Sequence, residues 1–281
     1  MSNEQITTSA ALYFGPDQGR SVTLCWFERA RELLTEHNLS PILFSADGGG
    51  FLIDECYVLA QPGGDIVDDE GYVLAARGGD LVDALRNGAI ESLGLDSPRS
   101  VSGGRSDWRA TVSVSSTFGM FYLGLDDDLA PAPATLLRRA YDIAKDLIRV
   151  RYGIAYTSPL PQDPECYAIG RSTKFTLSMF REELRTRREG TYREKKNPDE
   201  LWGDELGGER RHLNGLFRGA YPANILSESH VRAAVLRTSG IGRLSELDAS
   251  LWLWELSESE IPKAQALLEA RKLLVSQASQ P

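Results

Sequence analysis

The stretch DWRATVSVSSTFGMFYLGLDDD, residues 107–128, constrains the fold more than any other part of the chain. Trp108, Ala110, Val112 and Val114 alternate with Arg109, Thr111, Ser113 and Ser115, the period of a strand with one face buried and the other wet. The run then reverses into a second apolar strand, so the segment reads as an antiparallel hairpin. In PATLLRRAYDIAKDLIRVRYG, Leu137, Ala140, Ala144, Leu147 and Ile148 fall on one helical stripe, and Arg138 and Asp142 sit four apart on the opposite face as a supporting pair. YGIAYTS returns as a strand. A hairpin, an amphipathic helix and a returning strand imply an α+β fold, a mainly antiparallel sheet with helices packed on one side.

The remainder fits that frame. SAALYFG (9–15) reads as a first strand, and Val22, Trp26, Ala30, Leu33 and His37 recur at helical spacing behind it, with Asn38 able to close the helix. PILFSADGGGFLIDECYVLA suggests two strands around a glycine-rich turn, and GGDLVDALRNGAIESLG a further helix. Late in the chain, SLWLWEL places Leu251 and Leu253 on one face and Trp252, Trp254 and Leu256 on the other, a strand covered on both sides. A last helix follows, with Ser259 as N-cap, Pro262 in its first turn and Ile261, Ala264, Leu267, Leu268 and Leu274 facing inward. Between the halves, REELRTRREGTYREKK (181–196) carries 7 basic and 4 acidic residues and almost nothing apolar. We therefore divide the chain into an α+β domain over 1–180, a charged connector over 181–209 and a smaller C-terminal α+β unit over 210–281 that shares the core.

At 281 residues with 42% hydrophobic side chains, the chain can bury a substantial core. MSNEQITTSAALYF lacks the pattern of a secretory leader, and no run approaches the roughly 18 apolar residues of a membrane span, so a cytoplasmic protein is expected. Cys25, Cys56 and Cys166 are widely separated and read as reduced thiols, with Cys25 and Cys56 as small buried hydrophobes. The net charge of −9 is unevenly spread: residues 1–130 hold 8 Lys and Arg against 20 Asp and Glu, a net −12, whereas residues 131–281 hold 23 against 20, a net +3. Such asymmetry points to a basic partner and repels nucleic acid.

RRHLNGLFRGAYPANILSESH (210–230) is the densest polar stretch. His212 and His230 are 18 residues apart, without HxxxH or HExxH spacing, so no metal site is read here. Pro222 enforces an extended or turn backbone, Ser227 or Ser229 can cap a short helix running toward Ala234, and Asn224 bonds nearby backbone. His230, near a helix start, is expected neutral. Arg210, Arg211, His212 and Arg218 form the alternative candidate, a pocket for a phosphate or carboxylate. Asp126, Asp127 and Asp128, with Asp65, Asp68 and Asp69 of DIVDDEG, are the candidate acidic contact residues, although three consecutive side chains point in different directions. Glu255, inside an apolar run, calls for a partner. No nucleophile elbow, phosphate-binding loop or dinucleotide fingerprint is present, so no catalytic residue and no cofactor is assigned. Tyr192 in the basic segment is the one feature suited to nucleic acid, and the acidic remainder argues against that use.

The strand–helix opening LYFGPDQGRSVTLCWFERARELL and the hairpin–helix–strand series ending in YGIAY resemble, in layout, immunity proteins of bacterial polymorphic-toxin and type VI secretion systems. The resemblance covers about the first 170 residues, transfers no functional residue and leaves out GLFRGAYPANILSESHV. It implies a non-catalytic, toxin-inhibiting or accessory protein in bacterial conflict. Together with the charge asymmetry, it leads to the expectation of a protein whose acidic N-terminal half docks a basic partner. The competing expectation is an enzyme or sensor for a phosphorylated ligand held by the arginines around His212.

Overall fold

The structure, a computed structural model, describes residues 6–15, 25, 29, 32, 34, 43–48, 51–53, 92–98, 108–115, 119–159, 164–168 and 215–274. Its strands are β1 (Ile6–Phe14), β2 (Leu43–Gly48), β3 (Phe51–Ile53), β4 (Ser92–Pro98), β5 (Trp108–Ser115), β6 (Met120–Asp126), β7 (Val150–Pro159), β8 (Ala223–Ser227), β9 (Arg243–Asp248) and β10 (Leu251–Glu255). The described helices are α1 (Pro133–Ala144), α2 (Pro164–Ala168), α3 (Glu228–Ala233), α4 (Leu236–Ser239) and α5 (Ile261–Ala270). One sheet runs β3-β2-β4-β5-β6-β1-β7-β8-β10-β9, and every neighbour pair along it is antiparallel. The α+β class stands, with a smaller C-terminal α+β unit whose β8 extends the same sheet by pairing with β7.

Alternation along the strands sorts the core into two layers. Ala10, Leu12 and Phe14 of β1, Ala110, Val112 and Val114 of β5, and Leu123 and Leu125 of β6 share one face. Against it packs α1, which buries Leu136, Leu137, Ala140, Tyr141 and Ala144; Leu137, Ala140 and Ala144 belong to the stripe expected from the spacing, whereas Leu147 and Ile148 of that stripe lie beyond the end of the helix. Leu251 and Leu253 join this layer, whereas Trp254 and Leu256 join the other, so β10 is a strand covered on both sides, as SLWLWEL indicates. The second layer holds Ala11, Tyr13, Tyr122, Tyr152, Tyr156, Tyr167 and Tyr221, with Val231 of α3 and Ile261, Ala264 and Leu268 of α5.

Several local readings are corrected. Thr111, Ser113 and Ser115 do not face water: they are 3–5% exposed, because the second face of the hairpin is also covered. Ser92–Gly94, read as the end of a helix, open β4, where pairing with both β2 and β5 overrides local propensity. Cys25 is exposed, not buried: it is helical and exposed along with Arg29 and Glu32, whereas Leu34 is buried. Arg138 does not pair with Asp142. It reaches Ser245 Oγ (3.2 Å) and Glu255 Oε1 (3.4 Å) across the sheet edge, and Asp142 takes Lys145 instead. The start of α5 is organised from Ser257, two residues before Ser259: Glu260 Oε2 accepts both the Ser257 amide (2.9 Å) and hydroxyl (2.6 Å), the reciprocal contact of a capping box.

Candidate functional site

The acidic turn lies where β6 leaves the sheet. Asp126 is buried, 3% exposed, and its Oδ1 accepts the Asp127 amide at 3.1 Å, while its carbonyl accepts the amides of Leu129 and Ala130. It holds the turn that leads toward α1. The Asp127 amide also donates to Ile6 O at 2.9 Å, tying the turn to the start of β1. Asp127 and Asp128 face solvent, beside Ile6, an exposed large hydrophobe at 41%. Asp128 is paired with Arg109 at 2.6 Å, and for side chains this exposed such a pair is worth well under about 1 kcal/mol. The three consecutive acids thus divide into one turn-forming residue and two outward carboxylates. Asp65, Asp68 and Asp69 lie outside the described residues.

Arg218 occupies a different setting from the one its neighbours in sequence suggest. It is 2% exposed, and its guanidinium donates to Tyr13 Oη, to Ala168 O (2.6 Å) and to Tyr167 O (2.8 Å). Its carbon lies 5.4 Å from the Tyr13 ring centroid and 5.5 Å from that of Tyr167, and its amide donates to Tyr152 Oη. The group braces three segments distant in sequence rather than waiting at the surface for an anion. Arg210, Arg211 and His212 lie outside the described residues.

His230, in α3, is fully buried. Its Nε2–H donates to Leu216 O at 3.0 Å, and Nδ1 lies 2.7 Å from the Ser227 hydroxyl oxygen. Tyr152 stacks on it at 5.2 Å and Phe217 meets it edge-on. Ser227 stands at the N-cap position of α3, but its hydroxyl serves His230 and Ser229 instead of the helix backbone. Asn224 lies in β8 and donates to Tyr221 O at 2.9 Å, the local backbone bond expected of it.

Glu255 has the partner its position demands: Arg138, with Arg243 directly across on β9. Beyond this pair, a pocket of about 320 Å³ is lined by Tyr141, Lys145, Asp146, Arg149, Asp248 and Ser250 among others. Tyr141 donates its hydroxyl to Asp248. Burial and then the Asp248 carboxylate raise the Tyr141 pKa far above its ordinary value. Burial works against the Asp248 carboxylate, but hydrogen bonds from Tyr141, Ser250 and Leu251 outweigh it and hold that group below the usual range. The tyrosines of the second layer were not singled out from the sequence. The signal available was the spacing of Tyr152 and Tyr156 on one face of a strand.

Fold and site together define an α+β protein built on one long antiparallel sheet, with outward carboxylates at the β6 turn and a tyrosine-rich core layer on its second face. Among the described residues, no group of three or more His, Cys, Asp or Glu side chains is arranged to hold a metal ion, and no helix is long and apolar enough to cross a membrane. No protein-family model matches the sequence, and no curated protein matches it. Among solved structures the chain is similar to the Pseudomonas aeruginosa T6SS protein PA0821, with a TM-score of 0.45 and 11% identity over 95% of this chain and 72% of that one.

Proposed function

We propose that this is a non-catalytic protein-binding protein of the immunity or bacterial-conflict accessory kind, which docks a basic partner in the cytoplasm through its acidic N-terminal half. The observation that carries the reading is the net −12 over residues 1–130 against +3 over residues 131–281. The outward carboxylates of Asp127 and Asp128, set beside the exposed Ile6, support it with an acidic rim around an apolar contact. The mechanism is steric and electrostatic occlusion: opposite charge speeds encounter, and salt weakens it because the screening length is about 8 Å at physiological ionic strength. The competing phosphate-ligand reading keeps Arg210, Arg211 and His212 but loses Arg218, whose guanidinium is enclosed.

The test has two stages. The tagged protein is used to capture partners from native lysate at low and moderate salt, and the affinity of the recovered protein is then measured by calorimetry. The variant carries Asp65→Asn, Asp68→Asn, Asp69→Asn, Asp127→Asn and Asp128→Asn, and leaves the turn-forming Asp126 intact. The expected result is one stoichiometric basic protein whose affinity falls about tenfold or more in the variant. Unchanged affinity refutes electrostatic docking, and a co-purifying phosphorylated small molecule with no protein partner favours the competing reading.

A further inference from the structure

Among the described residues, two large apolar side chains stand exposed, Ile6 and Val235, and their surroundings carry opposite charge. The Ile6 carbonyl accepts the Asp127 amide at 2.9 Å, which sets the outward acids Asp127 and Asp128 beside it. Val235 joins α3 to α4, and its amide donates to Arg232 O at 3.1 Å. Arg232 and Arg237, on either side of it in the chain, are both exposed. Glu228 is the one acid of residues 228–240, and its carboxylate is already engaged. It lies 2.8 Å from Arg237 and 4.0 Å from Arg232, and accepts Trp252 Nε1 at 2.9 Å. Two arginines against one glutamate leave this site basic. Val235 also has φ +55° and ψ +38°, the left-handed region, which a β-branched residue enters only at a cost. The fold thus presents this side chain to solvent against both hydration and backbone preference. Ile6 and Val235 are each exposed, so the two sites do not cover each other within one molecule.

We propose that these sites are the two halves of a contact between copies of this chain: Val235, flanked by Arg232 and Arg237, docks on Ile6, Asp127 and Asp128 of a second copy. Each half supplies what the other lacks. The apolar side chains leave water together, and the arginines meet outward carboxylates around them. Because the two surfaces differ, the contact is head-to-tail. A bound pair still has one basic and one acidic site open, so copies add in a row instead of stopping at a symmetric dimer. A contact built on so few side chains is weak and reversible. The proposal does not rest on the basic-partner reading, although a second copy covers Asp127 and Asp128 and so competes with such a partner.

Sedimentation velocity of the full chain, from about 10 µM to about 1 mM at low and moderate salt, reads the contact. The expected result is a sedimentation coefficient that climbs with concentration past that of a dimer and falls back as salt is added. Two double variants each remove one half. Ile6→Thr with Asp127→Asn removes the acidic half, and Val235→Asn with Arg232→Gln removes the basic half. Asparagine tolerates the left-handed turn, and Arg232 comes no closer than 4.0 Å to Glu228, so the second variant leaves α3 and α4 in place. Each variant alone should associate about tenfold or more weakly than the parent. Their equimolar mixture should form a one-to-one dimer and stop there, because each variant keeps the half that the other has lost. A parent that stays monomeric over the whole range, association unchanged in either variant, or a mixture no more associated than its components would each overturn the proposal.

Discussion

Two glycines two residues apart allow the cost of a backbone clash to be separated from the cost of a left-handed conformation. Gly240 ends α4 at φ +66° and Gly242 precedes β9 at φ +69°, so alanine at either site meets the same conformational penalty, about 1 kcal/mol. A Cβ at Gly240 would meet nothing within 4 Å. A Cβ at Gly242 would lie 2.6 Å from Glu255 O, 2.6 Å from Leu256 Cδ2 and 2.7 Å from Trp254 Nε1. None of these neighbours yields easily. Glu255 O is strand backbone, and the Trp254 indole is fully buried and held by its 2.9 Å bond to Ile241 O. Gly242 cannot retreat freely either, because its amide donates to Glu260 Oε1 at 3.0 Å. Overpacking of this kind adds about 2 kcal/mol, so Gly242→Ala should destabilise by about 3 kcal/mol and Gly240→Ala by about 1. Urea unfolding of both variants measures the pair, with the midpoint moving at constant slope. If the two variants came within about 0.5 kcal/mol of each other, the close approach of β10 to Gly242 would be refuted.

Two further outcomes follow from polar groups. Glu260, lowered in pKa by the Ser257 hydroxyl first and by the amides of Ser257 and Gly242, contributes stability that is present above its ordinary value near 4.5 and lost as the pH falls through its lowered value. Glu260→Gln should therefore flatten the acid limb of a stability–pH curve below about pH 4.5, and an unaltered limb would show that these bonds do not persist in solution. Thr7 and Ser158 are opposite each other on β1 and β7, both buried, and neither hydroxyl finds a partner among the described residues. Thr7→Val and Ser158→Ala should each raise stability by about 1 kcal/mol in thermal unfolding, whereas a loss would mean that the hydroxyls hold a water molecule.

How much of this was legible in the sequence depends on whether each side chain's environment is local. The β5–β6 hairpin, the α1 stripe and the two-sided β10 could be read because their apolar residues repeat at the period of the element that carries them. The hairpin's second face misled for the same reason. Thr111, Ser113 and Ser115 alternate as wet residues do, but they are small, and the hydroxyl of Ser113 has a carboxylate partner 52 residues away in Glu165. Arg218 was read as one of four neighbouring basic residues, whereas its enclosure depends on Tyr13, 205 residues earlier. Of the candidate site, the sequence indicated the outward acids Asp127 and Asp128. It did not indicate that Asp126 would be consumed in forming the turn, because that role requires the adjoining start of β1.

The position of β1 in the sheet has a consequence for synthesis. The earliest of the described strands is also an interior one, flanked by β6 and β7, whose sequences end at Asp126 and Pro159. A ribosome adds roughly 5–20 residues each second, so on the order of ten seconds pass between the completion of β1 and the emergence of its first neighbour. Throughout that interval neither edge of the ALYF segment has its native strand partner, although Leu34, made soon after it, belongs to the same apolar cluster as Ala10, Leu12 and Phe14. The sheet therefore closes late, around the strand made first, and its two interior edges wait on long-range pairing.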